Sequence, residues 1–155
     1  MTAMVEHAAQ KYARLEVETG VEAASPQRLI VMLYEGAVRS LLEAKAALAA
    51  GDIAGRGARI SKAISIIDDG LRPAVDPVAG GEIAQNLLAL YEYIVNRLLL
   101  ANLKSDEASL DEAIGLLSQL KSAWETLERQ SVREQSAGAQ PEARAPGRAA
   151  SYGRV

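Results

Sequence analysis

In this chain apolar residues recur at helical spacing through one segment after another, and each segment is bounded by residues that start or stop a helix. That pattern confines the fold to amphipathic helices burying their stripes against one another. Ser25-Pro26 opens the first helix, because Ser is a preferred N-cap and Pro in the first turn lacks only an N–H that would be unpaired anyway. Leu29, Leu33, Ala37, Leu41, Ala44 and Leu48 then mark one face until Gly51 supplies the stop. Asp52 caps a second helix with a heptad seam of Ile53, Gly57, Ile60, Ile64, Ile67 and Leu71. The following RPAVDPVAGG, with Pro73, Pro77, Gly80 and Gly81, predicts the longest internal loop.

A third helix is predicted from Glu82 to Lys104, with Ile83, Leu87, Leu90, Ile94 and Leu98 on one stripe and Leu88, Tyr91 and Val95 on a neighbouring one. This double stripe is wider than a single helix contact needs. Ser105 or Asp106 caps the fourth helix, whose seam is Leu110, Ala113, Leu117, Leu120, Trp124 and Leu127. Four such helices with short connections bury their stripes best as an all-α, antiparallel up-and-down four-helix bundle, here spanning residues 25–130. Residues 131–155 hold almost no large apolar side chain and predict a disordered tail, since burial cannot offset their ordering entropy. Residues 1–24 carry Tyr12, Leu15, Val17 and Val21 among acidic groups and suit an arm or short helix laid on the bundle.

Charge and composition exclude several function classes. The net charge is −3, and the tail places Arg133, Arg144, Arg148 and Arg154 against Glu134 and Glu142, which leaves residues 1–130 more acidic than the whole. An acidic body repels phosphate backbones, so no nucleic-acid partner is expected. The absence of cysteine removes disulfides and thiolate chemistry and suits a reducing cytosol. No apolar run is long enough for a signal core or a membrane span, which predicts a cytoplasmic protein without membrane insertion.

Catalytic and metal-binding patterns are weak. The only histidine, His7, lies in the N-terminal segment, and one histidine cannot supply the paired Glu-x-x-His motifs of a bundle metal site. Adjacent Asp68 and Asp69 point about 100° apart on a helix, which makes a solvated face beside Arg72 the default. Gly80-Gly81 has neither a preceding strand nor a following Lys-Ser/Thr, and reads as a turn. No cofactor is expected. The third helix, YEYIVNRLLLANLKSD, admits two readings: Tyr91 and Arg97 lie at the boundary of the core, or they face a groove for a partner segment. Trp124, on its seam, is assigned to the core.

The order of motifs is the most specific signal. SPQRLIVMLYEGAV, GDIAGRGARISKAISIIDDGLR, GGEIAQNLLALYEYIVNRLLLANLKSD and SAWETL resemble the flagellar export chaperone family FliS from about Tyr12 to Glu128. The resemblance implies a small helical bundle that binds the C-terminal segment of flagellin in the cytoplasm, prevents premature polymerisation and delivers the subunit to the flagellar type III export gate at the membrane. It also leaves room for flagellar regulators as partners. Tyr12 matches the family's N-terminal Tyr in its distance from Pro26 and, with Leu15, is assigned to an arm near the partner site. Ile60, Ala63, Ile64, Ile67, Leu71, Leu87 and Tyr91 are the candidate groove residues. The chain departs from the family pattern at Ala23, Glu35, Glu92, Asn96 and Ser105, with Asn96 removing a frequent arginine. Two competing readings are a structural or regulatory bundle that oligomerises through its apolar faces, and an enzyme resting only on scattered carboxylates and Arg97.

Overall fold

A computed structural model describes residues 24–148, with side chains described through 137. Its elements are α1 (Pro26–Ala50), α2 (Ile53–Ser65), a π-helical turn (Ile66–Leu71), a 3-10 turn (Arg72–Ala74), α3 (Gly81–Lys104) and α4 (Glu107–Arg148). Among the described residues the fold is all-α. Helix α1 packs against α2 and α4, and α3 closes the ring by packing against the same two. The order around the bundle is therefore the order along the chain, as short connections between antiparallel helices require.

The capping chemistry follows the sequence closely. Ser25 Oγ accepts the Arg28 N–H at 3.1 Å, and Asp52 Oδ1 accepts the Gly55 N–H at 2.9 Å. Asp106 rather than Ser105 caps α4, accepting from the Ala108 N–H at 3.1 Å and the Ser109 hydroxyl at 2.7 Å. Gly51 ends α1 in the left-handed region with φ +73°, where a side chain would add strain. Ser105 takes the same role after α3 with φ +52°.

The core is drawn from all four helices: Tyr34, Ala37 and Leu41 of α1, Ile60 and Ala63 of α2, Ile94 and Leu98 of α3, and Leu110, Ala113 and Leu117 of α4. Fully burying a side chain of this size contributes about 1.5–3 kcal/mol, so this interior supplies most of the drive to fold. The Tyr34 and Tyr91 hydroxyls meet inside it at 2.5 Å, joining α1 to α3 across the core. Each hydroxyl thereby satisfies the other, which a buried polar group needs. Ser40 Oγ, also buried, donates to the Arg59 carbonyl at 2.8 Å and ties α1 to α2.

The second helix departs from a continuous heptad. After Ser65 the backbone widens into the π-helical turn, and Gly70 there sits so close to α1 that an added Cβ would meet the Leu33 methyls at 3.1 and 3.2 Å. The seam also begins differently from its expected course: Ile53 is exposed, and Arg56 faces inward where Gly57 was expected. Arg56 can be buried because each of its three guanidinium nitrogens donates a hydrogen bond. Its Nε donates to Asn102 Oδ1 at 3.1 Å, one terminal nitrogen to Ser105 Oγ at 2.7 Å, and the other to the Asn102 carbonyl at 3.0 Å. A cation at the carbonyl end of α3 also complements that helix's dipole. Arg56→Met is expected to strand those acceptors and cost about 2 kcal/mol in chemical denaturation; an unchanged midpoint would contradict this role.

Two further expectations at helix ends are corrected. Ile83 and Leu127, both placed on seams, are exposed, at 81% and 49%. The fourth helix runs past Gln130 to Arg148, and residues 149–155 lie outside the described ones. Residues 132–137 are exposed on that extension. Gln, Glu, Arg and Ala favour helix locally, so this stretch is helical while adding almost nothing to the core. The expected arm over residues 1–24 lies, apart from Ala24, outside the described residues.

Candidate functional site

The candidate groove residues separate into core and rim. Ile60, Ala63, Ile67, Leu71 and Tyr91 are all buried at 1% exposure or less, packed in the interior. Ile64 and Leu87 are half-buried at its margin. The helical period explains the division: Ala63 and Ile67 are buried in the core, and Ile64 is rotated about 100° from Ala63 around the helix. Tyr12 and Leu15 lie outside the described residues.

The reading of Tyr91 and Arg97 as a pair facing a groove is also corrected. Tyr91 is in the core beside Tyr34, and Arg97 pairs with Glu112 at 2.8 Å. Tyr93 donates to the same Glu112 carboxylate at 2.6 Å. Both side chains brace α3 against α4. Trp124 packs partly buried against the core, as its seam position predicts.

The buried tyrosines set a pH limit. Burial pushes Tyr34 up to about 12, against the opposing hydrogen bonds of Tyr91 and the Trp124 indole. Tyr91 is also pushed up, by burial first and then by Tyr34. Since both folded values exceed the ordinary 10.0, the unfolded chain loses protons first above that pH. Their contribution is whole below pH 10 and is lost as pH rises through the folded values. Alkaline titration should therefore show the phenolate absorbance of these two residues rising together with loss of helical circular dichroism. Ionisation of all tyrosines near pH 10 with the helix intact would contradict their burial.

The apolar surface that remains outside is on α3. Leu88, Val95, Leu99 and Leu103 follow one another at helical spacing, the first two half-buried and the last two 54% and 80% exposed. Leu88 also borders a cleft of about 640 Å³, formed with Asp68, Arg72, Val75, Pro77 and Glu92. The π-helical and 3-10 turns build the far wall of this cleft, and Gln85 closes its end by donating to the Pro77 carbonyl at 3.1 Å. Arg72 pairs with Asp68 at 3.4 Å, the arrangement expected for that acidic pair. Sequence reasoning missed Leu99 and Leu103, yet the second stripe of α3 already held their signal. Continuing Leu88 and Val95 by one further turn, and then another, reaches both.

Among the described residues no cluster of His, Cys, Asp and Glu could hold a metal ion, and no helix is long and apolar enough to cross a membrane. What the arrangement offers is an apolar row beside a cleft, the form in which a bundle receives an amphipathic segment. In class it is a helical bundle with an apolar row open to solvent. Residues 8–131 match the family model described as flagellar protein FliS. The flagellar secretion chaperone FliS of Salmonella typhimurium is 47% identical over 116 residues, which cover 75% of this chain and 86% of that one. The flagellar secretion chaperone FliSB of Pseudomonas aeruginosa is 42% identical over 118 residues, covering 76% of this chain and 93% of that one. A more distant relative, the FliS of Bacillus subtilis, is 29% identical over 107 residues, covering 69% and 78%. This chain belongs to the FliS family of flagellar secretion chaperones.

Proposed function

We propose that this chain binds the C-terminal segment of flagellin in the cytoplasm, keeps it from polymerising early and hands it to the flagellar type III export gate. The observation that carries the reading is the apolar row Leu88–Val95–Leu99–Leu103 beside the cleft, half-buried at its start and exposed at Leu99 and Leu103. An apolar face of this kind on a small bundle is costly to leave in water and suits the apolar side of an otherwise unfolded client. Helix α3 contributes the client surface and Ile64 and Leu87 its margin, while Tyr12 and Leu15 belong to an arm near the same site. The role is stoichiometric binding, with no catalytic step.

Capture on immobilised chaperone tests this directly. Intact flagellin is expected to be retained and flagellin lacking its C-terminal segment lost, and equal recovery of both would refute the mode. The same exposed row also suits a second copy of this chain. Light scattering separates the two readings: a monomer that binds one flagellin supports the chaperone, and a stable dimer that excludes flagellin supports the oligomerising bundle.

A further inference from the structure

Glu92 interrupts the apolar row of α3. It stands one turn after Leu88 and one turn before Val95, on the same helix face, and it lines the cleft with Leu88. Its side chain is exposed and has no ion-pair partner among the described residues. The bundle's other interhelical carboxylates contrast with this: Glu43, Asp111, Glu112 and Glu128 each pair with a cation on a neighbouring helix. The nearest cation lining the cleft, Arg72, is engaged by Asp68 at 3.4 Å. A free carboxylate set within an apolar stripe weakens the stripe as a purely greasy surface. It adds specificity when the occupant brings the opposite charge.

We infer that the segment received by this surface is an amphipathic helix carrying a basic side chain within its apolar face, which pairs with Glu92 while the flanking apolar residues cover Leu88, Val95 and Leu99. The inference rests on the proposed function and narrows it, because it states the charge the client must present and where along α3 that charge falls. Covering the row removes water from around Glu92, which makes an unpaired carboxylate there costly and a basic partner the way to offset that cost. An occupant with an acidic residue at that register is rejected by the same carboxylate. A second copy of this chain that set its own Glu92 at that register would oppose like charges, so charge disfavours that pairing.

The test uses the full chain and a synthetic flagellin C-terminal peptide, with affinity measured from roughly 0.05 to 0.5 M NaCl, a range over which exposed charges become largely screened. Glu92→Lys is expected to weaken binding about tenfold or more at low salt and to flatten its salt dependence, as loss of a close charge pair does. Glu92→Gln should fall between it and the parent. Glu134→Lys, the same charge change on an exposed residue of α4 remote from the row, should leave both affinity and slope unchanged. Replacing the peptide's basic residues by Gln should reproduce the Glu92→Gln loss in the parent chain and add nothing to it in that variant. If the peptide binds the parent but Glu92→Lys alters neither affinity nor salt slope, the charge pairing is wrong and the flagellin reading stands. If the peptide does not bind the parent at any salt, both fall. A variant that changes self-association instead of peptide affinity would identify a second copy as the occupant and overturn the inference.

Discussion

Leu99→Asp combined with Leu103→Asp is expected to weaken flagellin binding by at least about a hundredfold while leaving the bundle folded. Both side chains are largely in water already, at 54% and 80% exposure, so charging them costs the fold little. In a complex each would be buried against the client's apolar face, where an unpaired carboxylate costs several kcal/mol or forces the contact apart. Circular dichroism and the thermal midpoint should stay near those of the parent chain while titration calorimetry shows the loss. Retained affinity would move the client surface away from α3, and loss of helix would show that the row belongs to the core.

Ile67→Asp should do the reverse and remove the fold itself. Ile67 is at 0% exposure within the π-helical turn, in the common core that also holds Tyr34 and Ile94. A carboxylate there is either ionised without a partner or protonated with its hydrogen bonds unmet. Either outcome costs several kcal/mol, a large part of the roughly 5–15 kcal/mol that holds a domain together. The expected result is loss of cooperative unfolding and of most helical signal at 25 °C. Ile64→Asp, only three residues away but at the rim, should leave a cooperative transition with a lowered midpoint. Matching behaviour of the two variants would contradict the division between core and rim.

That division marks the limit of what the sequence makes legible. The caps at Ser25, Asp52 and Asp106, the stop at Gly51 and the four helices are local, and each follows from residue chemistry and period. Burial is not local. Ile60, Ile64, Ile67 and Leu71 all satisfy one heptad seam, and only the packing of the helices leaves Ile64 at the edge while the other three close over. The π-helical turn shifts the register again after Ser65, and no residue in IIDDGL announces it. Arg56 shows the converse. Its burial is not legible locally, because its partners, Asn102 and Ser105, are remote in sequence. Tyr91 and Arg97 were correctly singled out as unusual in a helical seam, but their partners Tyr34 and Glu112 make them internal braces. The exposed row was half visible, since a helix with two apolar stripes has more greasy surface than one neighbour can cover.

Site-specific photo-crosslinking tests most directly the claim that the outer face of α3 receives the client. A photoreactive side chain is placed singly at Leu99, or at Leu42, an exposed apolar residue of α1 at 52% exposure, and each protein is irradiated with flagellin. Covalent capture of the flagellin C-terminal segment from position 99, with little from position 42, is the predicted result. Capture from Leu42, with none from Leu99 in a protein that still binds flagellin, would place the client on another face and contradict the account.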